Sequence, residues 1–309
     1  MKELSPPNLA NFIIAGTEKA GTTSVFTYLS AHPSVCGSVV KETDFFRNSY
    51  TGNHQKDIDK YATFFERCTP ISRIVMEASP GYLGSAEQVA IRIHELIPHT
   101  KLLFILRNPI DRLYSSFNFH IGKLNLDKNL SFEDYVSKCI AYDCGQKTPA
   151  ELGIGEWYLK VISFGRYAHF LKYFYQQFPE HQIKVMFFEN LNQDVAGFMY
   201  ELCQFLEISP DPYKNYDFKK INVTYESKIK WLHKLAMFIN SRSEKVLRQR
   251  PKLKQHIVNL YKTINQEREG YDNIPPESYI RLAHYYEPSI DELRKLIGPH
   301  QLPWNLEIK

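Results

Sequence analysis

The sequence lacks a hydrophobic run long enough to cross a membrane. A membrane-spanning helix needs at least about eighteen consecutive apolar residues, and the 309 residues contain no such stretch. The N-terminal segment Met1–Leu9 is polar and contains proline, so it lacks the apolar core of a signal peptide. We therefore predict neither secretion nor a membrane partner, and we expect the protein to be cytoplasmic.

Cysteine is scarce and irregularly placed. The five cysteines are Cys36, Cys68, Cys139, Cys144 and Cys203. Their odd number and the lack of a C-x-x-C pair predict reduced thiols, as in cytoplasmic proteins. A structural zinc site is not expected, and no metal cofactor is predicted.

The chain also has little net charge. Its formal charge is +4 and its isoelectric point about 8.6, so nucleic-acid binding is not predicted. Basic residues do concentrate over 228–262, where apolar residues recur at near-helical spacing. This pattern predicts one or two amphipathic helices. Two interpretations of their basic face stay open: it caps the acceptor site or attracts an acidic acceptor, or it is a solvated surface.

The most informative feature present is an apolar strand that leads through a Gly- and hydroxyl-rich loop into a helix. The loop runs from Gly16 to Gly21, and the helix follows. Consecutive amides and the positive helix end favour a phosphate or sulfate, and Lys19 adds a full positive charge. A nucleoside-triphosphatase loop has the same glycine spacing but places its lysine after the second glycine, where this chain has Thr22.

A second strand carries a related pattern. Residues 101–106 are apolar, and Arg107, Pro109 and Ser115 follow, with the serine eight positions after the arginine. Because Pro109 favours a helix start, Arg107 should lie at the strand end and Ser115 in the helix. Together with Lys19 inside the first loop, this arrangement resembles sulfotransferases that use 3′-phosphoadenosine-5′-phosphosulfate (PAPS).

The resemblance extends along the chain, particularly to heparan-sulfate-type and bacterial members of that family. Residues 41–46 are similar to its K-E-x-x-F-F element, and residues 77–83 to its E-K-[ST]-P-x-Y element. Residues 165–191 and 285–304 resemble its later motifs. The family's fold is therefore expected here.

The resemblance implies a donor site and a mechanism. Lys19 would meet the leaving-group charge as PAPS becomes 3′-phosphoadenosine-5′-phosphate (PAP), while Arg107 and Ser115 would bind the 3′-phosphate. The loop residues expected to hold the phosphosulfate end are Lys19, Ala20, Gly21, Thr22, Thr23 and Ser24. Glu42 matches the family's general base, and we expect Phe45 and Phe46 to raise its pKa by desolvation.

Alternatives accompany these assignments. The alternative for Glu42 is a structural role in a surface ion pair with Lys41. His120, near the end of the helix that begins at Pro109, is the second candidate for the base, and a structural role is its alternative.

The resemblance also suggests an acceptor side. Its expected lining residues are Asp44, Phe46, Glu77, Tyr82 and Tyr167. Both tyrosines have core packing as an alternative, and Tyr167 could also lie under the donor. Ala78 and Asp44 replace a lysine and a histidine of heparan-sulfate-type members, which favours a small acceptor that is neutral or cationic.

These observations predict a natural-product sulfotransferase that forms a sulfate ester or a sulfamate. A polysaccharide O-sulfotransferase is the alternative. A P-loop kinase would need a serine or threonine directly after a loop lysine to hold magnesium, which this loop lacks. A nucleotide-binding protein without catalysis is disfavoured, because Lys19 and Glu42 are both present.

The alternation of elements predicts an α/β fold with a central parallel sheet flanked by helices and a mostly helical C-terminal part. We expect one sulfotransferase domain over 1–309, with a nucleotide-binding core at 9–208 and a helical acceptor-side part at 209–309. The predicted strands are 11–16, 35–40, 73–77, 101–106 and 183–188. The predicted helices are 22–31, 85–97, 109–122, 131–141, 156–177 and 193–207.

Overall fold

The computed structural model describes residues 8–218, 225–227, 266–268, 274–298, 302–304 and 306. By internal contacts the chain divides into two compact units. The described part of the first unit is 8–116, 131–218, 275–298, 302–304 and 306, and that of the second is 117–130, 225–227, 266–268 and 274. The predicted boundary at 208 stays a prediction.

A parallel sheet forms the centre of the first unit. Its strands are β1 Phe12–Gly16, β2 Val35–Gly37, β3 Ile74–Ala78, β4 Lys101–Leu106 and β5 Ile183–Phe187. They pair in the order β2-β3-β1-β4-β5, and every pair is parallel. The predicted sheet is thereby confirmed.

Helices cover the sheet, as strands that are buried throughout require. Every residue of β1 and β3 is buried, so side chains of surrounding elements must pack on both faces. The helices before the middle of the chain are α1 Thr22–Ser30, α2 Phe45–Asn48, α3 His54–Ala62, α4 Ala86–Leu96, α5 Pro109–Gly122 and α6 Phe132–Asp143. Those that follow are α7 Pro149–Leu152, α8 Glu156–Lys160, α9 Tyr167–Gln177, α10 Phe188–Gln193, α11 Val195–Leu206 and α12 Pro276–Ile297.

The prediction of one long helix over 156–177 is wrong. α8 ends at Lys160, a short 3-10 turn spans Ser163–Gly165, and α9 begins only at Tyr167. Tight packing at Gly165 accompanies the break: a Cβ there would lie 2.7 Å from Tyr286 Cε1 and 2.9 Å from Pro109 Cβ. The interruption therefore depends on contacts with residues far away in the sequence, and the helical periodicity of 156–177 carries no information about those contacts.

The C-terminal part is helical at α12, as predicted. Two short strands, β6 Tyr225–Ser227 and β7 Gln266–Arg268, form an antiparallel pair that we did not predict. The amphipathic helices predicted over 228–262 lie outside the described residues. Within the part of the chain that the structure describes, no helix is both long enough and apolar enough to cross a membrane.

One cysteine pair corrects the prediction of reduced thiols. Cys36, in β2, forms a disulfide with Cys68, and their Cα atoms are 5.6 Å apart. Cys139, Cys144 and Cys203 are free. The sequence did not indicate this pair because 32 positions separate the two cysteines, and only the fold brings them together.

Candidate active site

The Gly16–Gly21 loop lies at the carboxyl end of β1, where the sheet order reverses. β1 pairs with β3 on one side and β4 on the other, so the loop lies between the ends of two neighbouring strands. The Thr17 amide donates to the Ile105 carbonyl at 2.9 Å, which ties the loop to β4. Ligands of open α/β sheets bind at such reversal points.

The loop backbone fits an anion site. Gly21 precedes α1 with a φ of 77°, and no side chain among the described residues caps that helix. The first amides of α1 are therefore available to a ligand, and its first turn contains no acidic residue to repel an anion. Lys19 also has a positive φ, 65°, a costly conformation for a non-glycine residue that often occurs at functional sites.

Arg107 joins this loop directly. Its Nη1 donates to the Lys19 carbonyl at 3.0 Å, and its Cζ lies 4.6 Å from the ring centroid of Phe188. Gly21 leaves room for the same aromatic ring, because a Cβ there would lie 3.0 Å from Phe188 Cδ2 and 2.8 Å from Leu191 Cδ2. The structure thus brings together the lysine and the arginine that the two motifs predicted for the donor site.

Tyr167 supports the backbone of Arg107 through a hydrogen bond. Its side chain is buried, and its hydroxyl donates to the Arg107 carbonyl at 2.7 Å. Burial raises the pKa of Tyr167 to about 12, so the hydroxyl stays protonated as a donor at neutral pH. The hydrogen bond places Tyr167 beside Arg107, and its two predicted roles, under the donor or lining the acceptor side, stay predictions.

Ser115 and two carboxylates complete this part of the structure. Ser115 lies on α5 and is buried. The Asn108 amide donates to Glu189 Oε1 at 2.8 Å. Burial raises the pKa of Glu189 and of Asp111, and Arg107 opposes the shift in both. A shared grip of Arg107 and Ser115 on one phosphate stays a prediction.

Glu42 is exposed and does not have the apolar surroundings that we predicted. Its side chain is 54% exposed, and its Oε1 lies 2.6 Å from Lys41 Nζ. Phe45 and Phe46 instead point into the core, where both pack against Tyr61. The expected desolvation of Glu42 by the two phenylalanines is therefore wrong, because packing with Tyr61 buries both rings completely. An acceptor-lining role for Phe46 stays a prediction.

Glu77 and Tyr82 are also buried rather than exposed to an acceptor. Glu77 Oε1 accepts from the Thr43 and Ser79 hydroxyls, each at 2.7 Å, and Oε2 accepts from the Tyr61 hydroxyl. Burial raises the pKa of Glu77, and these hydroxyl donors oppose the shift. Both side chains are buried and support the segment that carries Glu42, and a contact of Glu77 or Tyr82 with the acceptor stays a prediction.

Asp44 and Ala78, the two residues that favoured a neutral or cationic acceptor, do not have the surroundings that we expected. Asp44 forms an ion pair with Arg47 of the same chain, at 3.2 Å. Ala78 is buried at the end of β3. Asp44 thus already has a cationic partner, Arg47, where we expected a cationic acceptor. Because Ala78 is buried, its replacement of a lysine does not change the charge of an exposed pocket.

A small pocket lies beside the donor loop. Its lining residues are Thr17, Glu18, Arg47, Pro80, Gly81, Gly84, Ser85, Arg112, Trp157 and Phe164. A Cβ on Gly81 would lie 2.4 Å from Arg47 Nη1 and 3.5 Å from Glu18 Oε1, so the glycine lets both side chains approach the wall. Burial raises the pKa of Glu18; Arg112 and Arg47 oppose the shift, and nearby Glu42 and Asp44 add to it.

His120 belongs to the second unit, near the end of α5. It is buried, its Nδ1 lies 3.1 Å from the side-chain nitrogen of Asn125, and its ring packs edge-on against Phe119 at 5.1 Å. Such contacts are typical of a structural histidine, which is the alternative that we gave for His120. A catalytic role for His120 stays a prediction.

Most of the residues that line this pocket were not predicted from the sequence. Glu18 carried a usable signal, since an acidic residue directly before the lysine of an anion loop is unexpected. Arg112 also follows a recognised motif, five positions after Arg107. Trp157 and Phe164 gave no local signal, because their approach to the loop depends on the packing of α8 and the turn after it.

Comparison with known proteins agrees with this geometry. Residues 9–256 match the sulfotransferase domain family. The chain is 27% identical over 235 residues to the bifunctional heparan sulfate N-deacetylase/N-sulfotransferase of Drosophila melanogaster, covering 69% of this chain and 21% of that protein. It is 35% identical over 145 residues to the membrane-associated sulfotransferase kil1 of Dictyostelium discoideum, covering 43% and 30%. The chain thus spans less than a third of the length of either relative.

A solved structure shares the fold. The crystal structure of a sulfotransferase from Alicyclobacillus acidocaldarius superposes with a TM-score of 0.60 at 23% identity, over 94% of this chain and 96% of that one. Within the described residues, no group of three or more His, Cys, Asp or Glu side chains is arranged to hold a metal ion. The chain belongs to the sulfotransferase domain family, and the P-loop-like sulfotransferase fold predicted from its motifs is confirmed.

Proposed function

We propose that the protein transfers the sulfuryl group of PAPS to a hydroxyl or amino group of a small acceptor. The products are PAP and a sulfate ester or sulfamate. The observation that carries this proposal is the 3.0 Å hydrogen bond from Arg107 Nη1 to the Lys19 carbonyl. This bond joins the loop whose motif predicts binding of the phosphosulfate end to the strand end whose motif predicts binding of the 3′-phosphate of the same donor.

The residues divide the chemistry between them. Lys19 and the first amides of α1 stabilise negative charge on the phosphate that leaves when the bond from sulfur to its bridging oxygen breaks. Arg107 binds the 3′-phosphate, and Ser115 assists. A nearby carboxylate accepts the acceptor proton as the new bond to sulfur forms. Glu42 takes this role, because its loop is supported by Glu77 and it is accessible to an acceptor.

The ion pair of Glu42 with Lys41 is compatible with that role. A solvent-exposed pair is worth about 0 to 1 kcal/mol, so an incoming acceptor can displace Lys41 at small cost. The exposed carboxylate then gains its desolvation from the acceptor rather than from Phe45 or Phe46.

The acceptor is proposed to be small because the pocket beside the donor loop is small and lined by mixed charges. A heparan-sulfate-like polysaccharide is the second candidate, since one relative is named a heparan sulfate N-deacetylase/N-sulfotransferase. A role in natural-product biosynthesis belongs to this proposal as well. The Cys36–Cys68 disulfide removes the argument from reduced thiols for a cytoplasmic location.

Incubation with PAPS and a library of hydroxylated and amino metabolites tests the proposal. We expect PAP release together with a mass gain of one sulfuryl group on an acceptor, and no loss of activity with a metal chelator. De-N-acetylated heparosan serves as the polysaccharide probe. Binding of PAP without transfer to any acceptor would indicate a nucleotide-binding protein, and chelator-sensitive phosphate transfer would indicate a kinase.

A further inference from the structure

Arg112 is the least expected group in the pocket beside the donor loop. Its side chain is 1% exposed, and Nη2 donates to the Val161 carbonyl at 2.6 Å. Its Nε has no hydrogen-bond partner among the described residues, although burying an unpartnered charged donor is costly. Arg112 is one of the residues that line the pocket, so a ligand that reaches Nε from the pocket would supply the missing acceptor atom.

Glu18 faces the same pocket. In the described part of the chain its carboxylate has neither a hydrogen bond nor an ion pair, even though Arg112 is the cation with the strongest effect on its pKa. Arg47, the other cation nearby, is already paired with Asp44. The pocket therefore contains one carboxylate and two guanidinium groups, and the carboxylate of Glu18 and the guanidinium of Arg112 influence each other without a hydrogen bond between them.

We infer that Glu18 and Arg112 together bind a hydroxyl group of the acceptor. The guanidinium donates to the hydroxyl oxygen, and the carboxylate accepts the hydroxyl hydrogen. This inference rests on the proposed function and deepens it, since it names the acceptor class and the residues that select it. It concerns binding and orientation of the acceptor; the bonds that form and break are those described above.

The hydrogen bonds that a ligand group can donate and accept distinguish between the chemical classes of acceptor molecule. An ammonium group only donates, so it would pair with Glu18 but leave Arg112 unpartnered and add a like charge. A carboxylate only accepts, so it would satisfy Arg112 but repel Glu18. A neutral hydroxyl does both at once.

Two aromatic side chains favour the same class of acceptor. The rings of Trp157 and Phe164 lie 6.4 Å apart at 61° and form part of the pocket wall. They offer apolar surface to the carbon skeleton of a molecule whose hydroxyl is held by the charged pair, an arrangement common in sites for small ligands.

Three matched probes test this inference with PAPS as donor: phenyl β-D-glucopyranoside, its 2-amino-2-deoxy counterpart and phenyl β-D-glucuronide. We expect the neutral glucoside to have the highest kcat/KM, by about tenfold, the effect of one hydrogen bond to a charged group. The products are identified by mass spectrometry, and PAP formation gives the rates.

Variants of Glu18 separate acceptor binding from a structural effect. Glu18→Ala should raise the KM of the glucoside about tenfold, with the KM of PAPS, the kcat and the melting temperature nearly unchanged. Glu18→Gln should restore part of the loss, because an amide oxygen still accepts a hydrogen bond. It should also raise the activity with the glucuronide relative to the glucoside, since the repulsion is removed. Glu66→Ala, an exposed control outside the pocket, should change none of these values.

Each contrary outcome has a distinct meaning. Preference for the amino probe in the wild type, or an unchanged ratio of glucuronide to glucoside activity in Glu18→Gln, overturns the inference. So does transfer to other acceptors with none of the three probes sulfated. Absence of transfer from PAPS to any acceptor rejects the proposed function itself, and the inference with it.

Discussion

The donor side and the acceptor side of the site are built in different ways. The proposed donor side consists of one loop and one strand end, and the groups that we propose to bind the donor are largely backbone amides together with Lys19 and Arg107. The acceptor side depends on side chains that approach from separate parts of the chain, such as Glu18, Arg112 and Trp157. Binding an anion requires mainly a local backbone shape, whereas selecting an acceptor requires tertiary packing.

The largest effect is expected at the donor side, from Lys19→Met. Removing the charge that stabilises the leaving phosphate should lower kcat by about 100- to 1000-fold, with little change in melting temperature. PAP release under saturating PAPS is the measurement, and exposed Lys56→Met is the control. An unchanged kcat would show that Lys19 does not meet the leaving-group charge.

The next effect concerns the disulfide, a link between distant parts of the chain that holds β2. Replacing both Cys36 and Cys68 by serine should lower the free energy of unfolding by about 3 kcal/mol, because the unfolded chain loses the restraint of a closed loop. Urea denaturation under non-reducing conditions measures this, with Cys144→Ser, an exposed free cysteine, as control. Equal stability of the double variant and the wild type would mean that the bond is absent in solution.

Gly21→Ala tests whether the donor loop depends on its local backbone. The positive φ of 77° and the 2.8 Å approach to Leu191 Cδ2 should together lower the free energy of unfolding by about 2 kcal/mol and weaken PAP binding. Gly52→Ala is a matched control, since φ is 81° but nothing lies within 4 Å of the added Cβ. It should cost about 1 kcal/mol, and equal losses in the two variants would contradict the steric part of the argument.

The smallest effect is a pH dependence at Glu77. Burial raises the pKa of this carboxyl above its ordinary value of 4.5, so the folded state holds the proton more tightly than the unfolded state. Its contribution to stability is complete below pH 4.5 and decreases as pH rises through the folded-state pKa. Glu77→Gln cannot lose a proton, so the stability of the variant relative to wild type should increase between pH 4 and 7.

Denaturation at several pH values measures the Glu77 effect, and exposed Glu87→Gln serves as the control. A difference between Glu77→Gln and wild type that stays constant with pH would show that the Glu77 carboxyl titrates alike in both states.

Much of the fold and the donor site was predictable because it depends on local patterns. Apolar runs of strand length gave all five strands of the parallel sheet, and the glycine and proline positions indicated where the loop and α5 begin. Lys19 and Arg107 follow from motifs that any fold of this family places at the carboxyl ends of adjacent strands.

The burial of the residues predicted for the acceptor side could not be read from their motifs. Phe46, Glu77 and Tyr82 lie in family-like motifs, yet their side chains point inward and support the Glu42 segment. A motif shows that a residue is needed near a site, but it does not show which way the side chain points. Burial decides that, and burial depends on all the neighbouring elements.

By itself, the sequence determined the parallel sheet and the loop that carries Lys19, and it is the basis of the proposed donor chemistry, because these depend on periodicity, glycine positions and fixed charges close together in the chain. Only the tertiary structure decided the break between α8 and α9, the Cys36–Cys68 disulfide and the meeting of Glu18 with Arg112. Each of these joins residues far apart in sequence, and their energies come from packing and from charge interactions across a folded core.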